Sequence, residues 1–347
     1  MTPLFFKRLG LIVLLGIILW GVQRSSAPHV RQFTKTGEFF GSYVKVDICF
    51  TEERHADLDG AVAKVWERFA DIHSRMSVYD PASDINKINA AYAAPVQVGA
   101  DTYQLIKDSL EYHRLSGGVF DITLGPLITL WKLKGGEGVM PTADEIKRAR
   151  ALVNMAAVEL MDNRQIRLTR KGVKVNIDSI GDGFAADEAA RILRSFGFED
   201  FLIDASGELY AGGLSCRGTK WRIGIRDPQD PESLIDVVEV CNLAVSTSGS
   251  YEQFYEIDGK PWSHIIDPRS GFPARGIKSA TVIAPSARFA DFLSTALCVL
   301  SGKEGLVLVD KLGANHAAMV VLDDDSGSEL KRMSGRYIQY QAAPSVP

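Results

Sequence analysis

The chain is poor in cysteine. It has four in 347 residues, Cys49, Cys216, Cys241 and Cys298, at spacings that match neither a zinc site nor a CxxC redox pair. Each lies in an apolar or strand-like stretch, the setting of buried free thiols, so no catalytic thiol is expected. A concentrated basic run is also missing. The 39 Lys and Arg are outnumbered by 43 Asp and Glu, for a net charge of −4. Binding a phosphate backbone needs a focused basic surface, which argues against nucleic acid as the main partner. No serine sits in a G-x-S-x-G elbow, so the run Ser246-Thr247-Ser248 reads as hydroxyls bonding backbone groups in a turn. There is no internal repeat and no long linker. With 46% hydrophobic and 24% charged residues, the composition is that of an ordinary globular protein of one large or two small domains.

The first residues are patterned differently. Lys7 and Arg8 precede an apolar run from Leu9 to Val22, followed by Gln23-Arg24-Ser25-Ser26-Ala27. A positive segment ahead of an apolar one is an export signal. The run is short for the ~20 residues of a full span, although Leu4, Phe5 and Phe6 extend it. No cysteine lies near its end, which excludes a lipoprotein anchor. Residues 1–27 are therefore expected to be a cleaved signal or a retained single anchor, with the body outside the cytoplasm. Those residues carry Lys7, Arg8, Arg24 and no acid, so their loss takes the charge from −4 to −7.

Beyond residue 28 the periodicity alternates between two kinds. Leu58, Val62, Val65, Phe69, Ile72 and Met76 recur every three or four positions and predict an amphipathic helix. Further helices are expected over Tyr103–Leu115 (ended by Gly117-Gly118), from Thr142 as cap, and over Gly183–Phe196, Ala287–Leu300 and Gly305–Leu312. Strands are expected at Tyr43–Ile48, Gln165–Thr169, Val173–Ile177, Phe201–Asp204, Trp221–Arg226, Val237–Cys241, Leu243–Ser246, Ala280–Ala284 and Ala317–Leu322. Strands and helices interleave without a regular βαβ rhythm, which favours α+β over a doubly wound sheet. The tail from Ala342 to Pro347 reads as disordered.

Four short stretches could carry chemistry. In Ala290-Asp291-Phe292-Leu293-Ser294-Thr295, Asp291 and Thr295 stand four apart and share a helix face. A carboxylate and a hydroxyl make a hard-oxygen pair suited to Mg²⁺, which keeps few protein ligands beside phosphate and water oxygens. The plainer reading has Asp291 solvating a helix end and Thr295 filling core. In Asn176-Ile177-Asp178-Ser179-Ile180-Gly181-Asp182-Gly183, a strand feeds a loop with two glycines ahead of a helix, a turn that can direct amides at an anion. Such glycines also occur for steric reasons alone, but three acids from here to Asp187 (Asp178, Asp182 and Asp187) fit a bound cation or a hydroxyl-rich ligand. In Ser116-Gly117-Gly118-Val119-Phe120-Asp121, either Phe120 is offered for ring stacking and Asp121 for a hydrogen bond, or a helix simply ends and a strand begins. Among the six histidines, His264 stands out, in Ser263-His264-Ile265-Ile266-Asp267-Pro268-Arg269. A neutral imidazole there can accept a proton from a hydroxyl, or merely bond a loop carbonyl. His29, His55 and His113 read as surface groups.

Taken together and in this order, the segments Met76–Asn89, Ser116–Leu127, Asn176–Asp187, Asp204–Gly213 with Trp221–Pro228, Val245–Phe254, Ser263–Pro273 and Ala290–Leu297 resemble the ApbE family, the FAD:protein FMN transferases. The resemblance spans nearly all of residues 28–341. It implies one α+β domain of the T-fold-like kind. It also implies Mg²⁺-dependent cleavage of FAD, with FMN passed to a Thr or Ser hydroxyl of a target protein and AMP released. The implied partners are flavin-accepting subunits of membrane redox complexes, and the implied location is periplasmic at the inner membrane. By position, Phe40 and Tyr79 would contact the flavin nucleotide, and Val119, Phe120 and Asp121 would line the adenosine end. Asn176 and Asp182 would touch FAD, and Ile266 would lie in the flavin-facing turn. The metal would take the Ser179 carbonyl, Asp291 and Thr295, and His264 would be the base. Asn176 stands where the family usually has Asp, Asp182 where Lys is frequent, Phe40 for the usual Met, and Ser206-Gly207-Glu208 for Gly-Gly-Asp. The rivals are a Mg²⁺-dependent FAD pyrophosphatase and a non-catalytic flavin-binding assembly protein.

Overall fold

A computed structural model describes residues 30–51, 57–230, 232–251, 253–323 and 330–343. The expected export segment, residues 1–27, lies outside the described residues. Among those described, no helix is long and apolar enough to cross a membrane.

The chain opens with strands β1 (Arg31–Phe39) and β2 (Ser42–Phe50), then helices α1 (Leu58–Met76) and α2 (Asp84–Ala90). Strand β3 (Val96–Gln97), helices α3 (Ala100–Leu115), α4 (Gly125–Gly136) and α5 (Ala143–Arg150), and strands β4 (Val158–Met161) and β5 (Gln165–Leu168) follow. Helix α6 (Asp178–Ser195) leads into β6 (Asp200–Ala205), β7 (Glu208–Gly212), β8 (Trp221–Arg226), β9 (Leu234–Val240) and β10 (Leu243–Gly249). The last part holds β11 (Phe254–Ile257), β12 (Lys260–Ser263), β13 (Ile277–Ala284), α7 (Ala287–Val299), α8 (Gly302–Lys311), β14 (Ala317–Leu322) and β15 (Leu330–Met333).

The frame is an eight-stranded sheet in the order β1-β2-β6-β7-β10-β13-β14-β15, antiparallel throughout. This is the α+β architecture expected from the interleaved pattern. Strand alternation divides the molecule into two layers of core. Val44, Val46 and Ile48 of β2 face a helical layer that includes α1, α6 and α7. Cys49 of the same strand points the other way, into a core closed by the β8–β9 hairpin and Tyr337. Helix α1 buries the expected stripe, Leu58, Val62, Val65, Phe69, Ile72 and Met76. The Thr142 cap forms a full capping box with Glu145.

Several expectations are corrected. Cys49 and Cys216 form a disulfide, with Cα atoms 5.2 Å apart and a sequence separation of 167, whereas four free thiols were expected. Among the described residues, Cys241 and Cys298 are not disulfide-bonded. The proposed strand Val173–Ile177 makes no ladder. It has one isolated bridge, Lys174 to Leu124, and the Asn89 side chain takes both the amide and the carbonyl of Val175, at 2.6 and 2.8 Å. A side-chain amide thus replaces the missing neighbouring strand. Helices α3, α6 and α8 begin three to five residues before their expected starts. The tail is docked at least as far as Ala342, whose N–H donates to the Val237 carbonyl.

Candidate active site

Helices α6 and α7 cross at close range, and the sequence explains why. Ser286 caps α7, and Asp187 of α6 accepts from the Ser286 hydroxyl and the Ala287 and Arg288 amides at 2.7, 2.7 and 3.2 Å. A carboxylate at a helix N-terminus satisfies unpaired amides and the helix dipole together. One turn back along α6, Gly183 lies so near α7 that a Cβ there would sit 2.6 Å from the Ala287 carbonyl oxygen. The two glycines at 181 and 183 are therefore inside the helix, not in an anion-cradling loop as expected. Gly183 serves helix contact.

This crossing fixes Asp291. It is buried, and its carboxylate accepts the Gly183 amide at 3.1 Å. Burial drives its pKa well above the usual carboxylate range, with Asp182, Asp187 and Asp178 adding to the effect. Asp182 is pushed up to about 7, again by burial first and by Asp178 second. Carboxylates that desolvate and repel one another favour a cation between them. Thr295, one turn beyond Asp291, lies 3.3 Å from the Ser248 hydroxyl. Ser246 and Ser248 of β10 both bond Ser294 of α7, at 2.9 and 2.7 Å. The hydroxyl run of β10 thus pairs side chain to side chain across the sheet–helix interface, where turn contacts to backbone were expected.

The other predicted residues gather around the same opening. A cavity of about 1690 Å³ is lined by Phe40, Tyr79, Val119, Phe120, Asp121, Asn176, Ser179, Asp182, His264, Ile266, Asp291 and Thr295. That exceeds the ~300–1,000 Å³ of ordinary small-molecule sites. Phe40 and Gly41 form the two-residue turn between β1 and β2, both left-handed at φ 57° and 76°, as a type I′ hairpin requires. This strained turn sets the Phe40 ring beside His73, whose Nδ1 accepts the Phe40 amide at 3.1 Å. Asn176 stands just ahead of α6, and its side-chain oxygen accepts the Asp178 amide at 2.8 Å. Ile266 is buried and forms an isolated bridge with Pro273.

Phe120 departs from its expected role. Its ring is 3% exposed and packs edge-on against Phe292, so it is cavity wall and not a stacking platform. No strand follows it either. Asp121 instead accepts from the Thr123 amide and hydroxyl in a local turn. His113, expected at the surface, is half-buried and donates from Nδ1 to the Phe120 carbonyl at 2.8 Å.

His264 Nδ1 lies 2.9 Å from the Gln253 carbonyl. A carbonyl only accepts, so Nδ1 carries the proton and the neutral ring keeps its lone pair at Nε2. Burial lowers the pKa of this imidazole and so favours that neutral form.

Residues to which the sequence reading gave no site role also line the cavity, among them His73, Lys132 and Lys174. Lys132 belongs to α4, whose short, Gly-flanked sequence shows no clear amphipathic stripe to mark it. Its ammonium donates to the Tyr79 hydroxyl at 2.6 Å, which holds its pKa above the ordinary value.

Residues 40–320 match the family model described as the ApbE family. A protein of Klebsiella pneumoniae named FAD:protein FMN transferase is 30% identical over 90% of this chain and 91% of its own length. One of the same name from Treponema pallidum is 29% identical over 92% of each. Among solved structures, the ApbE protein of Thermotoga maritima superposes with a TM-score of 0.81 at 30% identity, covering 90% of this chain and all of that one. Flavin transferase ApbE of Vibrio cholerae gives a TM-score of 0.80 at 26% identity, over 90% and 99%. The chain belongs to the ApbE family.

Proposed function

We propose that this enzyme transfers FMN from FAD to a threonine or serine hydroxyl of a target protein and releases AMP, with Mg²⁺ bound at Asp291. The observation that carries the metal assignment is the Asp291 carboxylate: 5% exposed, open to the cavity, and surrounded by other acids in place of a protein cation. A buried charge is tolerated only when paired. Among the described residues no three His, Cys, Asp or Glu side chains form a ready-made metal cage. The donor set is instead one carboxylate, the Thr295 hydroxyl and the Ser179 carbonyl, completed by substrate and water oxygens, which suits Mg²⁺. Ser179 lines the same cavity as Asp291 and Thr295, in the first turn of α6. When bound, the ion would neutralise the diphosphate and stabilise the leaving AMP.

The chain's own groups supply the rest. Nε2 of His264 accepts the acceptor hydroxyl proton as that oxygen bonds the FMN phosphorus and the bond from phosphorus to the AMP oxygen breaks. Gln253 holds the ring in the tautomer this needs. Phe40, Tyr79 and Ile266 place the flavin end, while Asp121, Val119 and Phe120 shape the adenosine end. Asn176 and Asp182, which line the same cavity, complete the grip on FAD in this reading.

The targets in this reading are flavin-carrying subunits of membrane redox complexes, met on the periplasmic side of the inner membrane. The positive-then-apolar start of the chain supports export, and the Cys49–Cys216 disulfide fits an oxidising compartment. Incubation with FAD, Mg²⁺ and a threonine-bearing acceptor tests the reaction class. A flavinylated acceptor plus AMP is expected. Free FMN plus AMP would indicate a pyrophosphatase instead, and unchanged FAD a binding protein.

A further inference from the structure

Tyr79 is unusual among the cavity residues because its side chain is 75% exposed while its backbone is pinned. The Asn86 side-chain amide donates to the carbonyls of Val78 and Asp80, at 2.9 and 2.8 Å, and Ser77 Oγ accepts the Tyr79 amide at 3.1 Å. This fixes where the residue starts but not which rotamer its ring takes. An exposed tyrosine with free χ1 hops among staggered wells, and any ligand that stacks on it must first order it.

One group removes that freedom. Lys132 Nζ reaches across from α4 to the Tyr79 hydroxyl at 2.6 Å and lies 4.6 Å from the ring centroid. The lysine and the tyrosine come from separate parts of the chain, and both line the cavity. A charged hydrogen bond and a cation–π contact on the same ring hold one rotamer and leave much of the ring open to the cavity.

We infer that Lys132 is a positioning residue for the flavin: it holds the Tyr79 ring as a preset platform on which the isoalloxazine stacks. The inference rests on the flavin reading of Tyr79 given above, and the two can be tested apart.

The experiment measures steady-state FMN transfer and the quenching of FAD fluorescence on binding, in the full protein with Mg²⁺. Lys132→Met keeps the stem and loses the amine. It should raise KM for FAD about tenfold, the loss of ~1.4 kcal/mol of binding, with kcat within about twofold, and it should weaken quenching. Lys132→Arg, which keeps cation and donor, should restore most of both. On a Tyr79→Ala background, Lys132→Met should have no further effect. If Lys132→Met leaves KM and quenching at wild-type values while Tyr79→Ala abolishes quenching, the inference fails and the flavin reading stands. If Tyr79→Ala changes neither quantity, the flavin reading of Tyr79 is itself wrong.

Discussion

The Gly183 amide donates to the Asp291 carboxylate across 3.1 Å, joining two helices at the point where the cavity is most acidic. The absence of a side chain at 183 is what lets the carboxylate reach this amide, because a Cβ would strike the Ala287 carbonyl. Gly183→Ala should therefore push α6 and α7 apart, costing ~1–3 kcal/mol by overpacking. A lowered melting temperature together with a loss of FMN transfer is expected. An unchanged melting temperature would show that the crossing is looser than described.

The acidic wall makes the metal-free protein sensitive to pH. Asp182 titrates near 7 when folded against 3.8 for a free carboxyl. Between those values the folded state holds a proton that the unfolded state has lost, so stability falls as pH rises from about 4 to 7 and the full penalty remains above 7. The slope is at most ~1.4 kcal/mol per pH unit for one group. Asp182→Asn should flatten this dependence, as read from denaturant midpoints in EDTA between pH 4 and 8. An equally steep profile in the variant would assign the effect elsewhere.

His264 has its pKa lowered by burial from the ordinary 6.5, so it stays a neutral base into mildly acid solution. The acid limb of kcat with saturating Mg²⁺ should lie below that value. His264→Gln should lose ~10²–10⁴-fold in kcat. A variant with unaltered kcat would remove His264 from the proton transfer.

The Cys49–Cys216 bond lies on the sheet face away from the cavity, in the core closed by β8 and β9. Replacing both by alanine should cost ~2–4 kcal/mol in stability while leaving the KM for FAD unchanged. A shift in KM would mean that the bond reaches the site through β2 and the Phe40 turn.

What the sequence revealed follows from range. Asp291 and Thr295 were legible because four residues on one helix make a local pattern, and α1 because its stripe repeats over nineteen residues. The disulfide was not, since its partners are 167 residues apart and neither spacing nor setting marks them. Val173–Ile177 misled because Val173, Val175 and Ile177 alternate like strand residues, while the segment's backbone bonds go to the Asn89 side chain, to the 122–125 segment and into the first turn of α6. Lys132 stayed hidden in a helix without a clear amphipathic stripe. His73 went unmarked because its bond to the Phe40 amide needs a hairpin turn to bring the two together.

The measurement that bears most directly on the central claim is acceptor flavinylation by Asp291→Asn beside the wild type, with Mg²⁺ titrated. The amide keeps the shape and loses the charge, so Mg²⁺-dependent thermal stabilisation should vanish and FMN transfer should fall to a small residue, while the metal-free protein is no less stable. Wild-type transfer by Asp291→Asn at the same Mg²⁺ concentration would contradict the account.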